Sequence, residues 1–337
     1  MRAPGFWSNP PDAPGLAARL LAPLAAVYGA ATARRLARGR AGAVRGAVPT
    51  ICVGNLTAGG AGKTPAVIAL IGHLDRADRP VAVVSRGHGG RLPGPVRVDP
   101  ARHRAADVGD EPLLLAAFAP VWVSRDRAAG LRAAEAAGAG LVVFDDGFQN
   151  PAVDYDLRLV VADARLGFGN GRVIPAGPLR EPVAVGLARA DLLLTVGEPA
   201  AQDRFDATWG DAIAGTARLR GEVAPLETGM PWDALRVLAF AGIAYPDKFF
   251  ATLRGLGAEV VATRALDDHA ALSAAMLTRL EGQARSLRAQ LVTTEKDAAR
   301  LPPAWRGKVL TLPVRLNVAD WAPLEAAVAA ALAHRAA

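Results

Sequence analysis

Short apolar runs recur along the chain, and most of them stop at glycine or a polar residue. Residues 48–53 form the first, which predicts a buried strand; the stretch 66–74 behind it carries its apolar positions at helical spacing. Further runs at 81–85, 121–124, 141–144, 157–162 and 191–196 predict five more strands. Helical patterns at 113–118 and up to Ala137 lie between them. Repeated strand–helix alternation with polar strand ends predicts an α/β fold built on a doubly wound parallel sheet. The pattern weakens near Trp209, and residues 216–223 suit an extended linker strand. Strand patterns then resume at 235–240, 259–262, 290–294 and 309–314, with helices at 249–256 and 321–333. The expected organisation is a helical segment (1–40), a P-loop domain (41–215), a linker (216–232) and a smaller α/β domain (233–337).

The N-terminal segment reads as one helix over 16–40, or two with a break at Pro23. Leu16, Leu20, Leu21, Leu24, Val27 and Tyr28 recur at helical spacing, and Arg19, Arg34, Arg35, Arg38 and Arg40 supply a basic complement. The uncharged run 20–33 has 14 residues, short for a transmembrane span. A signal peptide would need a long leader and would export a nucleotide site away from ATP. An amphipathic helix lying in a membrane interface fits better, and a helix packed on its own domain is the plain alternative.

The stretch Ile51-Cys-Val-Gly-Asn-Leu-Thr-Ala-Gly-Gly-Ala-Gly-Lys-Thr64 joins the first strand to the first helix of the sheet. Strand, glycine-rich loop, Gly-Lys-Thr and helix is the context of a phosphate-binding P-loop. In it Thr57, Ala58, Gly59, Gly60, Ala61 and Gly62 would wrap backbone N–H groups around phosphate oxygens. Lys63 would reach the β- and γ-phosphates and the Thr64 hydroxyl would hold Mg²⁺. Thr57 stands where the strict pattern has its first glycine. Asp145 and Asp146 end an apolar strand, the Walker B position for a carboxylate that handles Mg²⁺. Asp110-Glu111 precedes a helix, as either a favourable charge at its N-terminus or a base for an attacking hydroxyl. Lys296 has carboxylates beside it with which to pair.

Composition adds little to this. The 51% hydrophobic content is ample for a core, and one cysteine excludes an internal disulfide and a cysteine-rich zinc site. The charge of +7 is carried almost wholly by arginine, only four of the 39 basic residues being lysine. A basic chain suits anionic partners. No nucleic-acid motif accompanies the charge, and no guanine-recognition motif is present. A P-loop switch or metallochaperone NTPase is the competing class, since it shares the strand–GKT–helix core.

The motifs form an ordered series. Val53 to Pro65 is followed by Ser85-Arg-Gly-His-Gly89, Val108-Gly-Asp-Glu-Pro112, Asp145-Asp-Gly-Phe-Gln149, Pro175-Ala-Gly-Pro-Leu-Arg-Glu-Pro182, Asp267-Asp-His269 and Thr293-Thr-Glu-Lys-Asp-Ala298. This series resembles the tetraacyldisaccharide 4'-kinase family, the lipid A 4'-kinases. The resemblance implies transfer of the ATP γ-phosphate, with Mg²⁺, to the 4'-hydroxyl of a tetraacyldisaccharide 1-phosphate, giving lipid IVA. It implies a place on the cytoplasmic face of the bacterial inner membrane, held there by the N-terminal helix, and two α/β domains with a cleft that the smaller one closes. No nucleic acid and no obligate protein partner are expected. It assigns Lys63 and Thr64 to the P-loop pair, Asp110 to the catalytic base and His269 to its partner. Glu111 and Asp146 match metal-handling carboxylates, Arg180 and Glu181 a pair near nucleotide and metal, and Arg86 and Gln149 residues near the acceptor. His88, Asn150 and Ala270 depart from the pattern, where Tyr, His and His are usual.

Overall fold

A computed structural model describes residues 3–267 and 272–336. After a 3-10 turn (Gly5–Ser8) come two helices, the short α1 (Leu16–Leu20) and the 19-residue α2 (Ala22–Arg40). The chain breaks at Leu21 rather than at Pro23, which sits in the first turn of α2 where its missing N–H is harmless. The strands that follow are β1 (Thr50–Gly54), β2 (Val81–Ser85), β3 (Val96–Arg97), β4 (Val121–Val123), β5 (Leu141–Asp145), β6 (Leu157–Asp163), β7 (Leu192–Val196) and β8 (Ala217–Pro225). Between them run α3 (Lys63–Leu74), α4 (Ala105–Val108), α5 (Asp110–Leu115), α6 (Arg127–Ala136), α7 (Val183–Leu187) and α8 (Pro199–Ile213). The later elements are β9 (Arg236–Ala241), α9 (Pro246–Gly255), β10 (Glu259–Ala265), α10 (Ala274–Ser286), β11 (Gln290–Thr294), α11 (Glu295–Ala298), β12 (Val309–Leu312), β13 (Val314–Val318) and α12 (Ala322–Ala336).

Nine strands form one sheet in the order β13-β8-β7-β6-β1-β5-β2-β4-β3. Its seven inner strands are parallel, and an antiparallel strand closes each edge. Both faces are covered, which is why the inner strands read as apolar runs rather than as alternation. Ile51, Val53, Leu141, Val143, Leu157 and Leu159 face the core under α3 and α12. Their neighbours Cys52, Val142, Phe144 and Val160 face the core under α6, α7 and α8. Burial beside apolar neighbours pushes the Cys52 thiol up to about 12, so it behaves as a small apolar residue.

The second sheet is β10-β9-β11-β12, all parallel. Val237 and Ala239 pack against Phe249, Phe250 and Leu253 of α9, and Leu238 and Phe240 against Leu277 and Leu280 of α10. The run 309–314 expected as one strand is two. Pro313 separates β12, paired with β11, from β13, paired antiparallel with β8. The linker expected over 216–232 is largely β8 itself. The chain therefore leaves the large sheet after Pro225 and returns at Val314, and Leu226 N donates to Pro313 O (2.9 Å) across the two crossings. Strand β13 thus belongs to the large sheet, and Leu324 and Val328 of α12 pack in that sheet's core, although the sequence pattern places residues 314–336 in the smaller domain. Helix α12 lies beside α3, with Trp321 stacked on His73 at 4.3 Å and Glu325 Oε1 3.1 Å from His73 Nε2.

Candidate active site

The site lies at the C-terminal ends of the parallel strands, where open α/β sheets bind ligands. Strand β1 ends at Gly54, where a Cβ would come within 2.3 Å of Phe148 Cβ, so this exit tolerates only glycine. The loop from Asn55 to Gly62 then turns into α3, with Gly59 (φ 118°) and Gly62 (φ 85°) in the left-handed region that glycine enters without steric cost. The buried Asn55 holds the loop from inside, donating to Thr57 O at 2.7 Å and accepting from Lys63 Nζ at 3.3 Å. The loop is also tied along its outer edge. Ala58 N donates to Pro178 O (2.7 Å), and Arg180 N donates to Leu56 O (2.7 Å). Thr57 thus faces Leu179 in a strand-like bridge, a role for which its backbone matters more than a missing glycine. Ala61 is buried, and Lys63 and Thr64 form the first turn of α3.

Carboxylates gather beside this loop. Asp145, at the end of β5, is buried and accepts from Ser85 Oγ at 3.1 Å through one oxygen, while Oδ1 has no donor. Burial, with the charges of Glu111 and Asp146, pushes its carboxyl up to about 7 despite Lys63 and Arg127. Asp146 has φ 53°, an uncommon conformation for a side-chain-bearing residue that Asp tolerates better than most. Its Oδ1 stands 3.5 Å from Lys63 Nζ and 3.7 Å from Arg180 Nη1 and receives no hydrogen bond. Burial pushes Asp146 up, but Lys63, Arg180 and Arg127 outweigh it and hold the carboxyl below its ordinary value.

Beneath them lies Arg127, 1% exposed, donating to Val84 O (2.9 Å), Asp145 O (2.7 Å) and Asp146 O (3.2 Å). It welds the ends of β2 and β5 and points positive charge at both aspartates. On the other side Gln149 donates to Asn55 O (2.9 Å) and Glu181 Oε1 (3.1 Å), and accepts from Arg180 (3.3 Å). Glu181 is buried with both oxygens on Arg189 at 2.5–2.6 Å, so it faces this network rather than the open cleft.

The acidic pair Asp110 and Glu111 opens α5, following Gly109 (φ 93°), whose backbone packs on His88 O. Asp110 is buried, and its Oδ1 accepts from Glu111 N (3.0 Å). Across the cleft, Lys296 Nζ lies 3.6 Å from Glu111 Oε1 and Arg300 Nε lies 4.0 Å from Asp110 Oδ2. Ala244, in the loop after β9, lies 4.0 Å from where a Cβ on Gly60 would be, so the smaller unit also approaches the P-loop. Arg86 is exposed on the loop after β2. His269 lies outside the described residues.

The structure thus brings Lys63, Thr64, Asp110, Glu111, Asp145, Asp146, Arg180 and Gln149 to one end of the sheet. Sequence reasoning gave no role to Asn55, Ser85, Arg127, Arg189 or Arg300. Only Asn55 and Ser85, polar residues at apolar strand ends, carried a signal. In an arginine-rich chain a buried arginine reads like any other.

A P-loop whose lysine faces strand-end carboxylates defines a P-loop nucleotide-binding protein, and the further acids across from it suit phosphoryl transfer. Comparison with known proteins narrows the class. The family model for tetraacyldisaccharide-1-P 4'-kinase (LpxK) matches residues 17–333. A tetraacyldisaccharide 4'-kinase of Dinoroseobacter shibae is 64% identical over 330 residues, 97% of this chain and 97% of that protein. Another, of a Jannaschia species, is 57% identical over 328 residues, 97% of this chain and 98% of that protein. The crystal structure of LpxK from Aquifex aeolicus, described as an "apo" form in complex with ATP, shares the fold with a TM-score of 0.74. It is 24% identical and covers 94% of this chain and 99% of that one. The chain belongs to the tetraacyldisaccharide 4'-kinase family.

Proposed function

We propose that the chain transfers the γ-phosphate of ATP to the 4'-hydroxyl of a tetraacyldisaccharide 1-phosphate, a lipid A precursor. The observation that carries this reading is the facing of Lys63 and Asp146, 3.5 Å apart, at the mouth of a P-loop in a chain of this family. Lys63, resting on Asn55 and Asp146, exchanges these partners for phosphate oxygens when nucleotide binds. The start of α3 adds backbone N–H groups and its partial positive charge. Asp110 takes the proton of the acceptor hydroxyl as its oxygen bonds to phosphorus; the bond from phosphorus to the β–γ bridging oxygen breaks and ADP leaves.

The donors fit a divalent cation. Asp145 Oδ1 and Asp146 Oδ1 are buried oxygens without a hydrogen-bond donor, and oxygen donors suit Mg²⁺. Asp145, Asp146, Glu111 and Thr64 would hold it, and when bound it neutralises charge on the phosphate oxygens. Glu181, engaged by Arg189, orients Gln149 and through it Arg180. We assign residues 41–225 and 314–336 to the kinase unit and 233–312 to a unit that closes over it. Closure excludes water, which would otherwise take the phosphoryl group.

The test uses detergent-solubilised protein, Mg-ATP labelled in the γ-phosphate and a tetraacyldisaccharide 1-phosphate acceptor. Label is expected in the lipid, and Lys63→Ala and Asp110→Ala are each expected to lower the rate at least about 100-fold. Hydrolysis without transfer in the wild type would sink the reading.

A further inference from the structure

Two acids in the first turn of α5 each meet a cation from the smaller unit. Glu111 Oε1 lies 3.6 Å from Lys296 Nζ, and Asp110 Oδ2 lies 4.0 Å from Arg300 Nε. Lys296 is in α11 and Arg300 follows it, so both ride on the C-terminal end of β11. Arg300 is itself fixed from behind. Its guanidinium pairs with the fully buried Asp297 and donates to Gly242 O (3.2 Å). Asp297 in turn accepts from Gly242 N (3.0 Å) and Thr294 Oγ1 (2.7 Å). The chain of contacts runs from the ends of β9 and β11, through Asp297 and Arg300, to Asp110.

Gly242 keeps this line open. A Cβ there would come within 2.9 Å of Arg300 Nη2 and 3.1 Å of both Asp297 Oδ1 and the Asp267 backbone O. The Arg300 side chain is the flexible partner, so it would be the one to move.

We propose that Arg300 and Lys296 are positioning residues through which the smaller unit sets the orientation of Asp110 and Glu111. Asp110 Oδ1 accepts from the Glu111 N–H, and the Arg300 guanidinium bears on Oδ2 from the smaller unit, so contacts from both units act on one rigid carboxylate. Attachment to a second unit makes the alignment of both acids depend on how the two sheets meet. This inference rests on the reaction assigned above.

The experiment measures kcat and KM for phosphoryl transfer, ATP affinity by calorimetry and thermal unfolding, for wild type, Arg300→Met, Arg300→Lys, Gly242→Ala and Lys296→Met. Misalignment of a reacting group by about 1 Å can cost about 100-fold. Arg300→Met and Gly242→Ala are therefore expected to lower kcat on that order, measured well below the unfolding temperature, with ATP affinity close to wild type. Arg300→Met also lowers the unfolding temperature, because the buried Asp297 loses its Arg300 partner. Arg300→Lys should recover part of the loss, and Lys296→Met should lower kcat without weakening ATP binding. On an Asp110→Asn background, Arg300→Met should add nothing, because the residue it positions is already disabled. The proposal is overturned if kcat of the folded protein is unchanged, if the loss lies in ATP affinity, or if Arg300→Met costs the same factor on both backgrounds. Absence of transfer by the wild type would instead overturn the reaction assignment.

Discussion

At the scale of single residues, the site is held by charges that a folded core ordinarily avoids. Asp145 protonates near pH 7 in the folded chain but near 3.8 when unfolded. Between those values the folded state holds more protons, so its stability falls as pH rises from about 4 to about 7. Asp145→Asn removes that penalty while keeping the shape. The variant is expected to exceed wild type in urea unfolding at pH 8 by a few kcal/mol, with the gap closing below pH 4 and phosphoryl transfer impaired. An equal gap at both pH values would contradict the assignment of the penalty to Asp145. Arg127 has the opposite character. Its guanidinium satisfies three carbonyls in a place water does not reach, so Arg127→Met leaves them without donors. A loss of about 3 kcal/mol or more is expected in the same unfolding experiment.

At the scale of elements, the strand leading into the P-loop is braced by the far end of the chain. Arg335 of α12 pairs with both oxygens of Asp156 at 2.9–3.0 Å and donates to Gly46 O and Ala47 O at 2.7 Å. Asp156 also accepts from Thr50 N (2.8 Å) and Thr50 Oγ1 (2.9 Å), at the start of β1. Arg335→Ala leaves Asp156 buried with its strongest partner gone, and is expected to cost about 3 kcal/mol, read as a lower urea midpoint with unchanged slope. No local pattern announces that contact, since its partners are 179 residues apart. What was legible was what local chemistry dictates. The inner strands, the P-loop and the strand-end aspartates each follow from a few adjacent residues. Strand β8 reads as a linker because it is half exposed and lies next to an edge strand. Strands β12 and β13 read as one because only Pro313 separates strands that serve two sheets. The two-residue β3 is too short to leave any period. Within the site, Lys63, Asp145 and Asp146 sit in recognisable phrases, whereas Arg127, Arg189 and Arg300 become distinctive only by burial.

At the scale of the whole molecule, the unusual feature is an apolar stripe left outside both cores. Leu16, Leu20, Leu24 and Val27 are 59–72% exposed on one face of α1 and α2, while Ala18, Ala25, Thr32 and Leu36 on the other face are buried against the body. No helix among the described residues is long and apolar enough to cross a membrane. The exposed Arg34, Arg35, Arg38 and Arg40 follow the stripe toward the C-terminal end of α2. A helix that rests one face on its own protein and offers leucines and arginines on the other suits the boundary between acyl chains and anionic headgroups. Such a position would bring the site to a substrate whose acyl chains keep it in the bilayer. Each leucine side chain removed from water is worth about 1.5–3 kcal/mol. Leu20→Glu with Leu24→Glu should therefore weaken binding to anionic phospholipid vesicles by about 100-fold or more, while ATP affinity in solution stays at the wild-type value. The arginine contribution should show as a loss of wild-type binding when salt is raised from about 0.05 to 0.5 M, a range in which the screening length shortens several-fold. Vesicle sedimentation reads both effects. Unchanged binding by the double variant would mean that the stripe faces something other than lipid.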